Sequence, residues 1–324
     1  MAGRHQSPRR PARRSRHRRR APARPVPALS ASVRDVDAPG AALALLVSLF
    51  WGANTVAIKL GLLDAPPLRL AWLRFLVGGV VILVWAWSTG RLVGFRIARS
   101  EWRPLIVLGL VFTAQIGTMN IGTSLTSAAH GSIVLNLYAV HTVVLAHFLI
   151  PGDRLSPGRL GGVLLAYAGI VVLFAGGAVS PEASLAGDAI VFVSAFLLAE
   201  RTVYLARAVQ RLDPVKLLLS QAAIGCTIFV VGSALTEPAP TRWTLRLAGA
   251  IAYQGGLIAG FCFIVNLWLL KRYRPSGLAA FFLTQPIFGV VAAALVTGDR
   301  LTPSLLAACL AVAVGIGLSS RRRV

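Results

Sequence analysis

The sequence predicts an all-α integral membrane fold, ten transmembrane helices set as two inverted five-helix repeats, and three observations lead there. Of 324 residues, 56% are hydrophobic and 14% charged, where soluble domains carry roughly 25% charge. The apolar residues come in long runs broken by short charged connectors, and one segment recurs 146 residues later.

A helix needs about 20 apolar residues to cross roughly 30 Å of hydrocarbon. Ten stretches meet or approach that length: 41–60, 67–88, 104–124, 127–149, 158–176, 186–206, 214–235, 248–269, 276–296 and 303–319. Lipid cannot satisfy backbone N–H and C=O groups, so each must be a helix or part of a closed barrel. Barrel strands alternate apolar and polar residues. VVILVWAW and LLAACLAVAVGIGL do not alternate.

Residues 1–40 hold 11 arginines against Asp35 and Asp37 and almost no large apolar side chains, so a disordered, Arg-rich cytoplasmic tail is expected. Such a run suits anionic lipid or nucleic acid. With no nucleic-acid platform elsewhere, a membrane-proximal anchor is the simpler account, and an organellar transit segment the alternative. The inner connectors would hold Arg91, Arg96, Arg99, Arg103, Arg154, Arg159, Arg207, Arg211, Lys216, Lys271, Arg272 and Arg274, with Arg321, Arg322 and Arg323 closing the basic C-terminus, residues 320–324. The outer ones hold Arg69, Arg242, Arg246 and Arg300. Positively charged loops stay inside, so both termini are expected in the cytoplasm and the chain in the cytoplasmic (plasma) membrane.

PGDRLSPGRLGGVLLAYAGI recurs as TGDRLTPSLLAACLAVAVGI, with Gly152, Asp153, Arg154, Leu155 and Pro157 meeting Gly298, Asp299, Arg300, Leu301 and Pro303. At an offset of 147, Pro67 meets Pro214, Arg74 meets Gln221 and Gly78 meets Gly225. Five helices per copy is an odd number, so the copies are inverted, an arrangement typical of secondary transporters.

These residues resemble the drug/metabolite transporter superfamily, specifically its EamA-type members, over about residues 41–319. The resemblance rests on FWGANTVAIK, LRFLVGG, LTSAAHGSIVLNLYAVHTVVLAHFLIPGDRLSPGRLGG, GDAIVFVSAFLLAERTVYLARAV and LTQPIFGVVAAALVTGDRLTP, in that order. It implies EamA-like repeats at 41–177 and 185–319 and export or exchange of small organic metabolites, amino-acid-like or drug-like. The chain departs from the pattern in three places. No proline near Ala139 and Val140 matches Pro286, Asp153 and Asp299 replace a more usual Glu, and Glu200 and Arg201 stand where uncharged residues are usual.

Charge within a span is expensive, so intramembrane polar residues are the candidates for the transport path. In the first span these are Trp51 and Asn54, with Lys59 expected to snorkel outward. Arg74, about two turns into the second, suits a carboxylate or phosphate. The third and eighth offer Gln115, Asn120, Gln254 and Asn266, which suit helix–helix hydrogen bonds, and Gly256 and Gly260 read as close packing. In the fourth, His130 and His141 lie three turns apart, as a proton relay or as plain interhelical bonds, beside Asn136 and Tyr138. Glu200 is expected to be the single acid within a span, as a substrate or proton site, an ion pair with Arg74 or Arg201, or an acid reaching water, with Tyr204 one turn on. Gln285 stands beside Pro286, a kink and gate candidate.

Cys226, Cys262 and Cys309 lack metal-ligand spacing, and no catalytic or nucleotide-binding signature occurs, so no cofactor and no enzyme activity are expected. The expected function is secondary active export of a small-molecule substrate by alternating access, driven by protons. Membrane lipid is an expected partner, a homodimer stays open, and nucleic acid is not expected. An integral membrane enzyme acting on lipid and a non-transporting scaffold are the alternatives.

Overall fold

The structure, a computed structural model, describes residues 3, 36–149, 155–175, 184–209, 211–273, 278 and 281–320. Most of the basic tail, the first GDRL turn and residues 321–324 lie outside them. In chain order the helices are α1 (Ala38–Gly52), α2 (Asn54–Leu62), α3 (Pro67–Ser88), α4 (Trp102–Ser124), α5 (Ala128–Asn136), α6 (Tyr138–Leu149) and α7 (Pro157–Ala175). There follow α8 (Leu185–Ala208), α9 (Pro214–Thr236), α10 (Leu245–Ile251), a π-helical stretch (Ala252–Cys262), α11 (Phe263–Arg272), α12 (Gln285–Val296) and α13 (Pro303–Ser320). No β-strand occurs among the described residues.

The sequence states where these helices begin. Pro67, Pro157, Pro214 and Pro303 take first positions, where a missing N–H costs nothing. Asp37, Ser127, Ser184, Asp213 and Thr244 each accept a hydrogen bond from a backbone N–H of the first turn.

Seven helices among the described residues are long and apolar enough to cross a membrane: Ala38–Leu62, Pro67–Ser88, Trp102–Ser124, Ala128–Leu149, Pro157–Ala175, Pro214–Thr236 and Leu245–Leu269. Two features reduce the expected number. The 24 residues of α8 include Asp188, Glu200, Arg201 and Arg207, while Gln285–Val296 and Pro303–Ser319 are apolar but short.

Glycine lets backbones touch at two crossings. Between α7 and α13, a Cβ on Gly162 would fall 2.7 Å from the Gly315 carbonyl oxygen, and one on Gly169 would fall 3.1 Å from that of Ala308. In the 146-residue register Gly162 corresponds to Ala308 and Gly169 to Gly315, so each contact is the other with its partners exchanged. The second crossing behaves likewise in the 147-residue register. Gly78 meets Ala259 at 2.7 Å while Gly225 meets Phe112 at 3.1 Å. Reciprocity of this kind marks a two-fold relation between surfaces. In the π-helical stretch Gly255 and Gly260 make the close approaches, to Arg74 O and Val81, whereas Gly256 faces open space. The wider π turn puts residues five apart, not four, on one face.

Charged connectors tie helix ends together. Glu237, following α9, accepts from the N–H groups of Leu68 and Arg69 at 2.7 and 2.9 Å, placing a carboxylate at the N-terminus of α3. Lys216 donates to Glu101 at 2.8 Å, a bond that holds the Glu101 carboxyl below its ordinary range. Asp64 accepts from both Nε and Nη2 of Arg246 at 2.8 Å and from Thr244 Oγ1 at 2.6 Å. Those bonds hold its carboxyl down at about 2.

Two predictions follow from this packing and these ties. Gly315→Leu should lower stability in detergent by about 1–3 kcal/mol, while Gly161→Leu, which meets nothing within 4 Å, should not; thermal unfolding of both variants checks this. A depressed carboxyl stabilises above its unfolded pKa and loses that contribution as pH falls through its folded one. The melting difference between wild type and Asp64→Asn should therefore be constant at neutral pH and close between the ordinary value of 3.8 and about 2.

Candidate functional site

Two arginines lie inside the bundle. Arg74 on α3 is 1% exposed and Arg201 on α8 is 7% exposed. Each lies seven residues, about 10 Å, from one end of its helix. Arg74 Nη1 donates to Gln254 Oε1 at 3.2 Å, and Gln254 Nε2 in turn donates to Ala57 O at 3.1 Å. Arg201 Nε donates to Gln221 Oε1 at 2.8 Å, and Gln221 Nε2 donates to Leu217 O.

Aromatic rings join the two. The Arg74 guanidinium sits 4.6 Å from the Phe75 ring centre, Phe75 meets Phe112 edge-on at 4.7 Å, and Arg201 sits 4.7 Å from Phe112 and 5.4 Å from Phe263. Cations over ring faces are attracted by the ring quadrupole. Trp51 packs edge-on against Phe263 at 6.5 Å. A cleft of about 10 Å³ lies among Phe75, Gly78, Phe112, Gln221, Ala259 and Phe263. That volume suits about one water molecule and is too small for an organic solute.

Several helices around this region are interrupted. Ala53 separates α1 from α2, Leu137 separates α5 from α6, and Leu283–Thr284 precede α12. The breaks touch: a Cβ on Gly52 would fall 2.5 Å from Gln285 O, and one on Gly289 would overlap Ser132 Oγ. Leu137 and Thr284 are themselves 147 residues apart, so the interruptions occupy corresponding places in the two halves.

A second polar cluster lies where α5 and α8 begin. His130 Nδ1 is 2.8 Å from Asp188 Oδ2, both nearly fully buried, and Thr126 Oγ1 donates to Asp188 Oδ1 at 2.6 Å. Lys59 Nζ donates to Thr126 O, and Asp299 of the second GDRL turn accepts from the Ala129 N–H at 2.8 Å. The His130 Nε2 atom is buried with no partner.

The EamA-like transporter family matches this chain twice, over residues 38–175 and 185–321. The chain belongs to that family. Among its relatives, an "uncharacterized transporter" of Archaeoglobus fulgidus is 28% identical over 77% of this chain and 86% of its own. Two proteins named "probable amino-acid metabolite efflux pump" are each 27% identical. That of Salmonella typhimurium aligns over 85% of this chain and 92% of its own, that of Escherichia coli over 80% and 87%. A solved crystal structure shares the fold with a TM-score of 0.65 at 20% identity, covering 86% of this chain and 95% of that one.

Within this EamA-like fold the sequence-predicted residues fall into separate places. Arg74 is buried in the bundle, Trp51 packs on Phe263 and Phe282, and Asn54 is buried with Oδ1 unpaired. Gln285 is buried facing the Tyr138 hydroxyl. His141 is surrounded by Tyr167, Phe192 and Phe196, at 5.9, 4.9 and 5.8 Å, away from His130. Glu200 is on the exposed face of α8 and Tyr204 is half-buried among apolar residues. One expectation is corrected. Asp188, not Glu200, is the buried acid within α8. Lys59, at the end of α2 and partly exposed, donates to Thr126 O in the connector before α5. Arg201 and Gln221 were legible as the repeat counterparts of Asn54 and Arg74, and Asp188 as a second acid inside the predicted span 186–206.

The crossing of the interrupted helices yields a prediction of opposite signs. Gly289→Ala should destabilise, because its Cβ lands on Ser132 and 2.8 Å from Gly52 O, whereas Gly249→Ala meets nothing within 4 Å. The latter should gain up to about 1 kcal/mol of helix propensity. Parallel thermal unfolding of the two variants measures both.

Proposed function

We propose that this chain is a secondary active exporter of small metabolites in the cytoplasmic membrane, with both termini in the cytoplasm. It works by alternating access of two inverted five-helix repeats, 41–177 and 185–319, and draws on protons. Family membership together with relatives named efflux pumps carries the export reading. The ten-helix inverted arrangement is supported by the exchanged contacts at Gly78–Ala259 and Gly225–Phe112 and by interruptions in matching places, where carriers of this architecture bind solute. Arginine-rich connectors on one side support the orientation.

For coupling, the buried His130–Asp188 pair is the better placed of the groups available. A proton can be exchanged there between imidazole and carboxylate, and the charged groups facing it are Lys59, through Thr126, and Asp299, through the start of α5. Glu200 on the outer face of α8 offers no enclosed site. A lipid-modifying enzyme would need Glu200, His130 and His141 to converge. The three stand apart, so no observation favours that reading.

Proteoliposomes loaded with a mixed metabolite pool test the proposal. Efflux of at least one solute should depend on an imposed pH gradient in wild type, lose that dependence in Asp188→Asn and keep it in Glu200→Gln. No solute moving under either condition would sink the carrier reading, and coupling retained in Asp188→Asn would remove His130–Asp188 from it.

A further inference from the structure

The interior between α3 and α8 contains two fixed cations and no anion to meet them. Among the described residues neither Arg74 nor Arg201 has an acid within salt-bridge distance. Asp188 is occupied by His130 and Thr126, and Glu200 faces outward. The glutamines that meet the arginines are neutral and take one N–H-bearing atom from each. Nε and Nη2 of Arg74 and both Nη atoms of Arg201 have no acceptor among the described residues, and Arg74 Nε is fully buried in that state.

Ring faces accept some of this charge, but rings cannot use the in-plane N–H fork that distinguishes guanidinium from ammonium. Buried charge without a partner is strongly disfavoured, within a membrane above all. Two of them, linked through the Phe75–Phe112 pair, aggravate the cost. An occupant with paired oxygen acceptors and negative charge would supply the kind of acceptor these groups lack. Among the described residues no free carboxylate lies beside the two arginines to receive an ammonium group.

We propose that Arg74 and Arg201 hold the negative group of the transported solute, and that this solute is a small organic oxyanion, a carboxylate or a phosphate ester carrying net negative charge. The proposal rests on the carrier reading above and narrows it, because a zwitterionic or cationic solute would find no carboxylate there for its amine. One arginine comes from each repeat, so solute binding draws on both halves that alternating access must move.

The test uses the purified full chain as wild type, Arg74→Gln, Arg201→Gln and Arg201→Lys, each first shown to be monodisperse. Succinate, methyl phosphate, alanine and putrescine are the probes, in chloride-matched buffer, read by thermal stabilisation in detergent and by efflux from proteoliposomes. Succinate or methyl phosphate should stabilise and be transported, alanine and putrescine should not, and whichever anion responds identifies the group. Each Gln variant should weaken anion binding about 30-fold or more, with partial recovery in Arg201→Lys. Alanine or putrescine moving saturably while neither anion binds would overturn the oxyanion assignment and leave the carrier reading standing. Arginine-dependent anion binding without efflux of any solute would keep the site and overturn the carrier. Anion binding equal in wild type and both Gln variants would refute the arginine assignment, and no anion binding in wild type would do so whether or not the variants fold.

Discussion

Helices in lipid are not pressed together by the hydrophobic effect, because the acyl chains outside are as apolar as the side chains within. They associate only where backbones approach closely, and in this protein that constraint falls on a few glycines. Gly162, Gly169 and Gly315 bring α7 against α13, while Gly78 and Gly225 seat α3 and α9 against the opposite half. The polar interior depends on these crossings. Gly78 and Ala259 border the cleft beside Gln221, and Gly255 packs on the carbonyl of Arg74.

The same solvent that removes the hydrophobic drive makes every interior polar group conspicuous, since a buried donor or acceptor must find its partner within the protein. Most do. Gln254 links Arg74 to Ala57 O, Asn120 donates to Pro67 O and Thr113 returns to Gly109 O. Of the unpaired buried atoms, those of Asn54, Thr55, His130, Ser132, His141 and Gln285 sit on the interrupted helices, while Arg74 Nε, Gln115 Oε1, Asn120 Oδ1 and Thr123 Oγ1 sit on the unbroken α3 and α4. More of the unsatisfied groups therefore lie on broken helices than on continuous ones.

Helical membrane character was legible because run length and charge density are local properties of the chain. The number of spans was less so. A helix such as α8 places Asp188, Arg201 and Glu200 within one apolar stretch, and whether each charge is tolerated depends on partners far away in sequence. Of the candidate site, Arg74, Asn54 and Trp51 could be read from position, and Arg201 and Gln221 from the repeat register. The choice of Glu200 over Arg201 turned on one residue, a rotation of about 100° on a helix, and α8 has too little amphipathic contrast to set that phase from sequence. His130 and Asp188 are 58 residues apart, and only the packing of α5 on α8 joins them. Likewise the shift from Gly256 to Gly255 follows from a π-helical stretch that has no sequence signature of its own.

The duplication also explains how such an interior arises. The positions of Arg74 and Gln221 correspond, and so do those of Asn54 and Arg201, so each half carries one cation and one neutral amide, on exchanged helices. With an arginine in both copies of both positions, the bundle would bury four cations; with none, the amides would hold the helices together and the interior would be neutral at these positions. One arginine per half leaves each guanidinium braced by a glutamine, Arg74 by Gln254 and Arg201 by Gln221, both on elements of the second half. Arg74 is thus fastened across the two halves, whereas Arg201 is fastened within one. A movement of one half against the other would strain the Arg74–Gln254 bond and leave Arg201–Gln221 intact, so the near-symmetric frame carries an asymmetric polar core, fastened across the halves at one end and within one half at the other.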